Sequence, residues 1–240
     1  MRMLAELWHR VTGTAPTPPP WLVLVSAAMA LAAVLYHPAW RISRNVVTIA
    51  HEGGHAIASL AAGRRLQGIR LHSDTSGLTF SRGKPTGAGV VITTAAGYVT
   101  PSLLGLGGAA LIAAGHVTAM LWALLVLLAA MFIAIRNAFG VVSILATAGI
   151  VLVVTRFASA VAQDAFAYVF TWFLLLGGVR PVIELQRRRR RGRGSGSDAD
   201  QLARLTGLPG ALWVAVFGVV CLAALLAGAR WLLPATWLPW

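Results

Sequence analysis

The sequence is poor in charged residues, above all in acidic ones, and has almost no cysteine. Only 11% of its 240 residues are charged, whereas a soluble domain has roughly 25%, so an ordinary soluble domain is excluded. The single cysteine, Cys221, excludes an intrachain disulfide. The few acidic residues limit which side chains can act as carboxylate ligands. They are Glu6, Glu52, Asp74, Asp164, Glu184, Asp198 and Asp200.

The sequence contains long runs without charged residues. The 51 residues between Lys84 and Arg136 contain no Asp, Glu, Lys or Arg. One bilayer crossing needs about 20 residues, so this run holds two. With 58% hydrophobic residues, the chain is predicted to be an all-α polytopic membrane protein with about seven transmembrane helices. The predicted spans are 21–37, 45–62, two spans divided near Gly115, 139–155, 160–178 and 208–229.

Four segments follow from this pattern. Residues 1–20 are predicted to be a cytoplasmic N-terminal segment, and residues 21–183 a transmembrane core. Within the core, alternating residues around Asp74-Thr75-Ser76-Gly77 predict a small β-hairpin at about 68–82, after the second span. Residues 184–206 are predicted to form an Arg-rich cytoplasmic loop, and residues 207–240 a last transmembrane helix with a Trp-rich tail.

The basic residues indicate an orientation rather than a nucleic-acid partner. The net charge is +13, but the basic residues lie between apolar spans and no nucleic-acid motif accompanies them. With seven spans and the N-terminus inside, sixteen Lys and Arg residues fall on the inner side and four on the outer side. This bias predicts a cytoplasmic N-terminus. The Ala- and Arg-rich composition favours a multi-pass protein of a bacterial cytoplasmic membrane.

The motif HEGGH lies in the second predicted span. It contributes His51, Glu52 and His55, and the stretch from Val46 to Ala62 holds no other charged residue. Ionisable groups are costly at such positions and usually serve function. On a helix, the i, i+4 spacing puts both histidines on one face, where they can bind one metal ion, and the intervening Glu can act as general base. The alternative is that the three side chains satisfy one another in a helix bundle.

A catalytic zinc normally has three protein ligands, so a third must lie elsewhere in the chain. Asp198 is the first choice, because Ser197 can cap a short helix with Asp198 in its first turn, on the cytoplasmic side. A solvated carboxylate at a helix start is the alternative interpretation. Asp200 and Asp164 are the next candidates for the third ligand. His72, Asp74 and His116 are weaker ones.

Several other residues near the motif are candidates for substrate binding. Gly53 and Gly54 leave a bare helix face, which either admits a substrate or packs on a neighbouring helix. Gly97, in AAGYVTPSLLG, is predicted to lie at a kink or close contact. Asn137, in RNAFG, is placed to hydrogen-bond a substrate carbonyl, and a helix-end cap is the alternative.

These residues together resemble a known family. HEGGH in an apolar helix, the hairpin and AAGYVTPSLLG are similar to the site-2 protease family of intramembrane zinc metalloproteases, in particular to its compact bacterial branch, the M50B-like membrane peptidases. RNAFG and SDADQLARLTGLPGALW are also similar, and the resemblance covers roughly residues 45–220. It implies His51 and His55 as zinc (Zn2+) ligands and Glu52 as the catalytic base. It also implies a hairpin that binds an extended substrate by strand addition, and a substrate path beside Gly97.

The sequence departs from that family at the third ligand. The better-studied members take it from an Asp in a Leu-Asp-Gly motif, which is absent here, so Asp198 is predicted to replace it. The resulting hypothesis is a membrane zinc metalloprotease that cleaves membrane-protein or peptide substrates within the lipid bilayer, with no nucleic-acid partner. The rival hypotheses are a catalytically silent metal-binding scaffold and a transporter or channel with His and Glu in its path.

Overall fold

A computed structural model describes residues 13–192 and 196–233, and the structure is mostly helical (77%). Most of the predicted N-terminal segment, part of the Arg-rich loop and the Trp-rich end of the tail lie outside these residues. The helices are α1 (Pro20–Leu35), α2 (His37–Ala61), α3 (Ala88–Ala113), α4 (Val117–Ala134), α5 (Ala138–Phe157), α6 (Ala160–Arg190), α7 (Asp198–Thr206) and α8 (Gly210–Leu232). The strands are β1 (Arg65–Leu71) and β2 (Gly77–Arg82).

Five helices are long and apolar enough to cross a membrane on their own, namely α3, α4, α5, α6 and α8. Helices α1 and α2 pass the same test only together, as one pair bent by 99°. The described residues therefore hold five or six candidate spans, and the predicted count of seven is not reached. Many large apolar side chains are exposed, among them Ile133, Phe157 and Leu226, as expected of helices that face lipid.

Residues 38–44, which separate the predicted spans 21–37 and 45–62, are helical in the structure, and the chain instead bends between α1 and α2. Tyr36 is the only residue between the two helices, and Pro38 lies in the first turn of α2, where a missing N–H costs nothing. The corner is held to α6 by Glu184, which accepts a hydrogen bond from Trp40 Nε1 at 3.1 Å. Arg180 donates to Glu184 and to the Val34 carbonyl and lies over the Trp40 ring.

Helices α3 and α6 pack antiparallel at the centre of the bundle through small residues. Gly105 lies against Leu175, Gly108 against Thr171, and Gly178 against Ser102. Small side chains let helix backbones approach closely, which supports packing where lipid removes the hydrophobic driving force. This contact orients α3, whose N-terminal half packs on α2.

Helix α6 is longer than the predicted span, because it continues through the arginine run to Arg190. Its 31 residues correspond to about 46 Å, whereas the hydrocarbon core of a bilayer is about 30 Å thick. The helix can therefore carry Arg187–Arg190 past the apolar layer without a break. The segment predicted as a loop, residues 184–206, is therefore helical over residues 184–190 and again over Asp198–Thr206.

The hairpin is present after α2, as predicted, and its strands are antiparallel. A β-bulge lies between Leu66 and Gly68. Gly68 has φ +151°, and a Cβ there would collide with Arg136 Cγ, so this position requires glycine. Ile69 and Leu71 are fully buried against α4 and α5, which fixes the hairpin along α2.

Candidate metal centre

Two histidines of α2 and one aspartate of α7 bring three potential ligand atoms together. His51 Nε2 and His55 Nε2 lie 3.1 Å apart, and Asp198 Oδ2 lies 3.3 Å from each of them. Within the described part of the chain, this is the one group of three His, Cys, Asp or Glu side chains close enough to hold a metal ion. Asp198 Oδ2 is buried, yet no hydrogen bond of acceptable geometry satisfies it.

The size of this triangle fits a tetrahedral metal. With bonds of about 2.0–2.2 Å, neighbouring ligand atoms of a tetrahedral zinc stand about 3.3–3.6 Å apart, close to the separations seen here. Two neutral imidazoles and one carboxylate are a common donor set for such an ion and leave a fourth position open. The residues present therefore fit a zinc-like dication.

The tautomer of His55 is set by a backbone contact. Its Nδ1 lies 2.7 Å from the carbonyl oxygen of Thr93 on α3. A carbonyl can only accept, so Nδ1 carries a proton, and Nε2 is left as the ring nitrogen that can bind a metal. The His51 ring packs nearly perpendicular to the Tyr98 ring, with the two ring centroids 4.9 Å apart.

Asp198 begins α7, where Ser197 caps the helix as predicted. The Ser197 side chain accepts from the Asp200 N–H, and the Asp200 side chain accepts from the Ser197 backbone in return. Burial alone would raise the pKa of Asp198, but the two imidazoles beside it hold that pKa below its ordinary range. Asp198 is therefore ionised at neutral pH, as a metal ligand must be.

Asp200 and Asp164, the alternative third ligands, are not part of the cluster. Asp200 points to α6, where it forms an ion pair with Arg189. Burial alone would raise the pKa of Asp200, but hydrogen bonds from Arg189 and Ser197 lower it. Asp164 lies in the first turns of α6, and the structure brings Asp198 to the histidines instead.

Glu52 lies beside the cluster and is almost completely buried, with 4% exposure. Thr79 on β2 donates a hydrogen bond of 2.6 Å to Glu52 Oε2. Both side chains line a polar cavity of about 270 Å³ that also contains His51, His55 and Asp198. The carboxylate, the three ligand atoms and the edge of β2 thus share one chamber.

The glycines near the motif serve close packing. A Cβ at Gly97 would overlap the His55 ring and lie 2.7 Å from His51 Cε1, so only glycine lets α3 pass beside the two imidazoles. Gly54 packs on Thr100 of α3, and Gly53 on the Met131 sulfur of α4. The structure shows helix packing at Gly54, whereas Gly53 also lines an apolar cavity between α2, α3 and α4.

Asn137 precedes α5, but its side chain makes no cap hydrogen bond. Instead, its Nδ2 donates to the Leu71 carbonyl at 2.7 Å, and its Oδ1 accepts from the Leu71 N–H at 3.1 Å. Its carboxamide is thus engaged by β1. A direct contact with substrate stays a prediction.

Sequence reasoning missed four residues that act on the cluster. Thr93 acts through its backbone carbonyl, and Tyr98 through a ring edge. Thr79 and Arg189 act through contacts between elements distant in sequence. None of these has a spacing signal. The AAGYVTPSLLG segment drew attention to Gly97 and Pro101, although Tyr98 directly follows Gly97.

Comparison with known proteins gives one match. The family described as Peptidase M50B-like matches residues 24–228, which includes every residue of the cluster. No curated protein matches the chain, and no solved structure matches it.

Proposed function

This chain belongs to the Peptidase M50B-like family, and we propose that it is an intramembrane zinc metalloprotease that hydrolyses peptide bonds in or near transmembrane segments. The observation that carries the proposal is the triangle of His51 Nε2, His55 Nε2 and Asp198 Oδ2, whose dimensions suit a tetrahedral zinc. A multi-pass membrane peptidase has a membrane protein as its natural substrate. We place it in a bacterial cytoplasmic membrane.

Each residue of the chamber has a proposed role. His51, His55 and Asp198 would hold zinc, which when bound polarises a peptide carbonyl and acidifies water. Glu52 is the general base: it accepts a proton from the attacking water and passes it to the leaving amine. Its carboxylate shares the cavity with the ligand atoms. Gly97 lets α3 pass beside the two imidazoles, which any larger side chain at this position would overlap.

Strand β2 is the edge on which an extended substrate can be held. The outer edge of β1 is already occupied, because the Arg136 N–H bonds the Ile69 carbonyl at 2.9 Å and Asn137 bonds Leu71. For β2, the described residues show no backbone hydrogen bonds beyond those to β1. Gly77, Leu78 and Thr79 line the cavity of the cluster. A peptide added to β2 would therefore run past Glu52.

The Glu52→Gln variant tests this function. The amide keeps the shape of the side chain and can still accept from Thr79, but it cannot take a proton. We expect zinc content equal to that of the wild type and loss of cleavage. Cleavage is measured as new protein N-termini by mass spectrometry of membranes from cells that express either form.

Three results would contradict parts of the proposal. New N-termini that persist with Glu52→Gln would exclude Glu52 as the base. A folded wild type without metal would overturn the metalloprotease altogether. Zinc in both forms without any cleavage product from the wild type would favour the metal-binding scaffold.

A further inference from the structure

Helix α7 carries Asp198 but does not itself span the membrane. It has nine residues, and the two histidines it must meet lie on α2. The chain from α6 to α7 includes Gly192 and Gly196, both with positive φ. The position of Asp198 therefore depends on the contacts that α7 makes with the helices around it.

Two kinds of contact hold α7. Ala199 and Leu202 are fully buried in an apolar cluster with side chains of α6 and α8. The polar contact is made by Asp200, which accepts from Arg189 with Oδ1 and from the Ser197 hydroxyl with Oδ2, the latter at 2.9 Å. Apolar burial resists withdrawal of the helix, but it is not directional, and the ion pair sets which way the first turn faces.

Arg189 differs from the other arginines of its run. Arg187, Arg188, Arg190 and Arg191 are exposed, whereas Arg189 is turned inward, with 22% of its side chain accessible. Its guanidinium also lies against Gly210, the first residue of α8, where a Cβ would come within 3.0 Å of Arg189 Cζ. One side chain thus joins the end of α6, the start of α7 and the start of α8.

We propose that Arg189 is a positioning residue of the metal centre, which acts through Asp200 to aim Asp198 at His51 and His55. This inference rests on the metal site of the proposed function. Asp198 and Asp200 share one helical turn, so a rotation of that turn moves both. Metal–ligand distances tolerate only about 0.2 Å, so a small displacement of the Asp198 carboxylate weakens the site without unfolding the helix.

The test measures zinc affinity of the metal-stripped, detergent-purified full chain against a chromophoric chelator. We expect Arg189→Gln and Asp200→Asn each to bind zinc about 10–100-fold more weakly than the wild type, the usual cost of losing an outer-shell partner. Arg189→Lys keeps the charge and should recover part of the loss. Arg190→Gln removes the neighbouring exposed charge and should bind like the wild type.

A double-mutant cycle separates positioning from general damage. If Arg189 acts through Asp200, the Arg189→Gln/Asp200→Asn double variant binds no more weakly than the worse single variant. Additive losses, wild-type affinity in both single variants, or an equal loss in Arg190→Gln would each overturn the inference. Thermal unfolding of each metal-free variant shows whether a loss of zinc affinity merely reflects a loss of fold. A fall in thermal stability that parallels the fall in zinc affinity would also overturn the positioning role.

The outcomes for the two proposals are distinguishable. A wild type that binds zinc while the Arg189 and Asp200 variants bind equally well refutes the positioning role and leaves the protease intact. A wild type that binds no zinc refutes both, because nothing then needs to be positioned.

Discussion

At the scale of single residues, the Glu52 carboxylate is held by a side chain of the hairpin. It is almost fully buried, and Thr79 donates to its Oε2 at 2.6 Å. A buried carboxylate with a single strong donor has one preferred orientation, since its other rotamers would lose that hydrogen bond. Thr79 therefore positions the proposed base within the chamber.

Thr79→Val tests this contact, because valine has the same shape without the hydroxyl. Loss of a hydrogen bond to a charged group costs about 1.5–3 kcal/mol, which corresponds to a fall in kcat of roughly 10–100-fold. Thr79→Ser keeps the hydroxyl and should retain most of the rate. The measurement is kcat and KM with one cleavable peptide identified from the membrane experiment. Equal effects of Val and Ser, or a change in KM alone, would show that Thr79 merely packs against the site.

The candidate residues differ in how far the sequence indicates them. HEGGH predicts His51, Glu52 and His55 because i, i+4 spacing on a helix dictates a shared face. Asp198 could be proposed because only seven acidic residues exist and Ser197 marks a helix start. Thr79 could not, since a threonine in a strand is ordinary and its role arises only when β2 packs on α2.

At the scale of elements, the hairpin has one closed edge and one open edge. The connector between α4 and α5 closes the edge of β1 with a parallel bridge from Ile135 to Ile69. It also closes it with the Asn137 carboxamide, which accepts from the Leu71 N–H and donates to the Leu71 carbonyl. Unpaired strand edges bind other strands readily. Closing β1 therefore directs strand addition to β2, beside the candidate metal centre.

Asn137→Ala should loosen the closed edge. The fully buried Leu71 would lose the partner of its N–H and of its carbonyl, at a cost of about 1–3 kcal/mol for each unsatisfied group. We expect faster hydrogen exchange at residues 69–71 and a lower thermal midpoint, while exchange in α8, far along the chain, stays unchanged. A raised KM with wild-type exchange would instead support the substrate contact predicted from the sequence.

The sequence predicts an element well where the length of an apolar run sets its bounds. It does not do so where contacts between distant residues set them. The boundary near Gly115 and the positions of α5 and α8 follow from apolar runs and breaks in the sequence. The corner at Tyr36 and the extension of α6 do not. Arg41 and Arg44 lie between the predicted spans 21–37 and 45–62, but contacts of Trp40 and Arg44 with Glu184 hold this stretch as helix against α6. Contacts between residues 140 or more positions apart leave no local signal in the sequence.

At the scale of the whole molecule, the bend between α1 and α2 changes what the charge distribution implies. Among the described residues, the side that holds the hairpin, Arg136 and the arginines from Arg180 to Arg204 carries thirteen Lys and Arg residues, and the side that holds Arg156 and Arg230 carries two. This imbalance does not depend on how the α1–α2 pair crosses. By the positive-inside rule, it predicts that the hairpin and α7 lie on the cytoplasmic side. The side of the N-terminus depends on that pair and remains a prediction.

Labelling of single cysteines tests this arrangement in a Cys221→Ala background, since Cys221 is the only native thiol. Thr86 and Arg191, both exposed, should as cysteines react with a membrane-impermeant maleimide only after cells are opened. Ser159, at the start of α6, should react in intact cells. If only one of Thr86→Cys and Arg191→Cys reacted in intact cells, the hairpin and α7 would lie on opposite sides of the bilayer. That result would contradict the structure, in which Asp198 lies 3.3 Å from His51.

The same labelling decides how the bent pair of α1 and α2 crosses the membrane. Thr17 precedes α1 and is exposed, so Thr17→Cys is open to the reagent. A single crossing of the pair puts this position on the side of Ser159, and a return puts it on the side of Thr86. The Ala15 N–H donates to the Gly115 carbonyl at 2.8 Å, at the end of α3 away from the hairpin, so we expect Thr17→Cys to react in intact cells. Reaction only in opened cells would instead support the cytoplasmic N-terminus predicted from the charge count, and α1 and α2 would then have to return to the side from which they start.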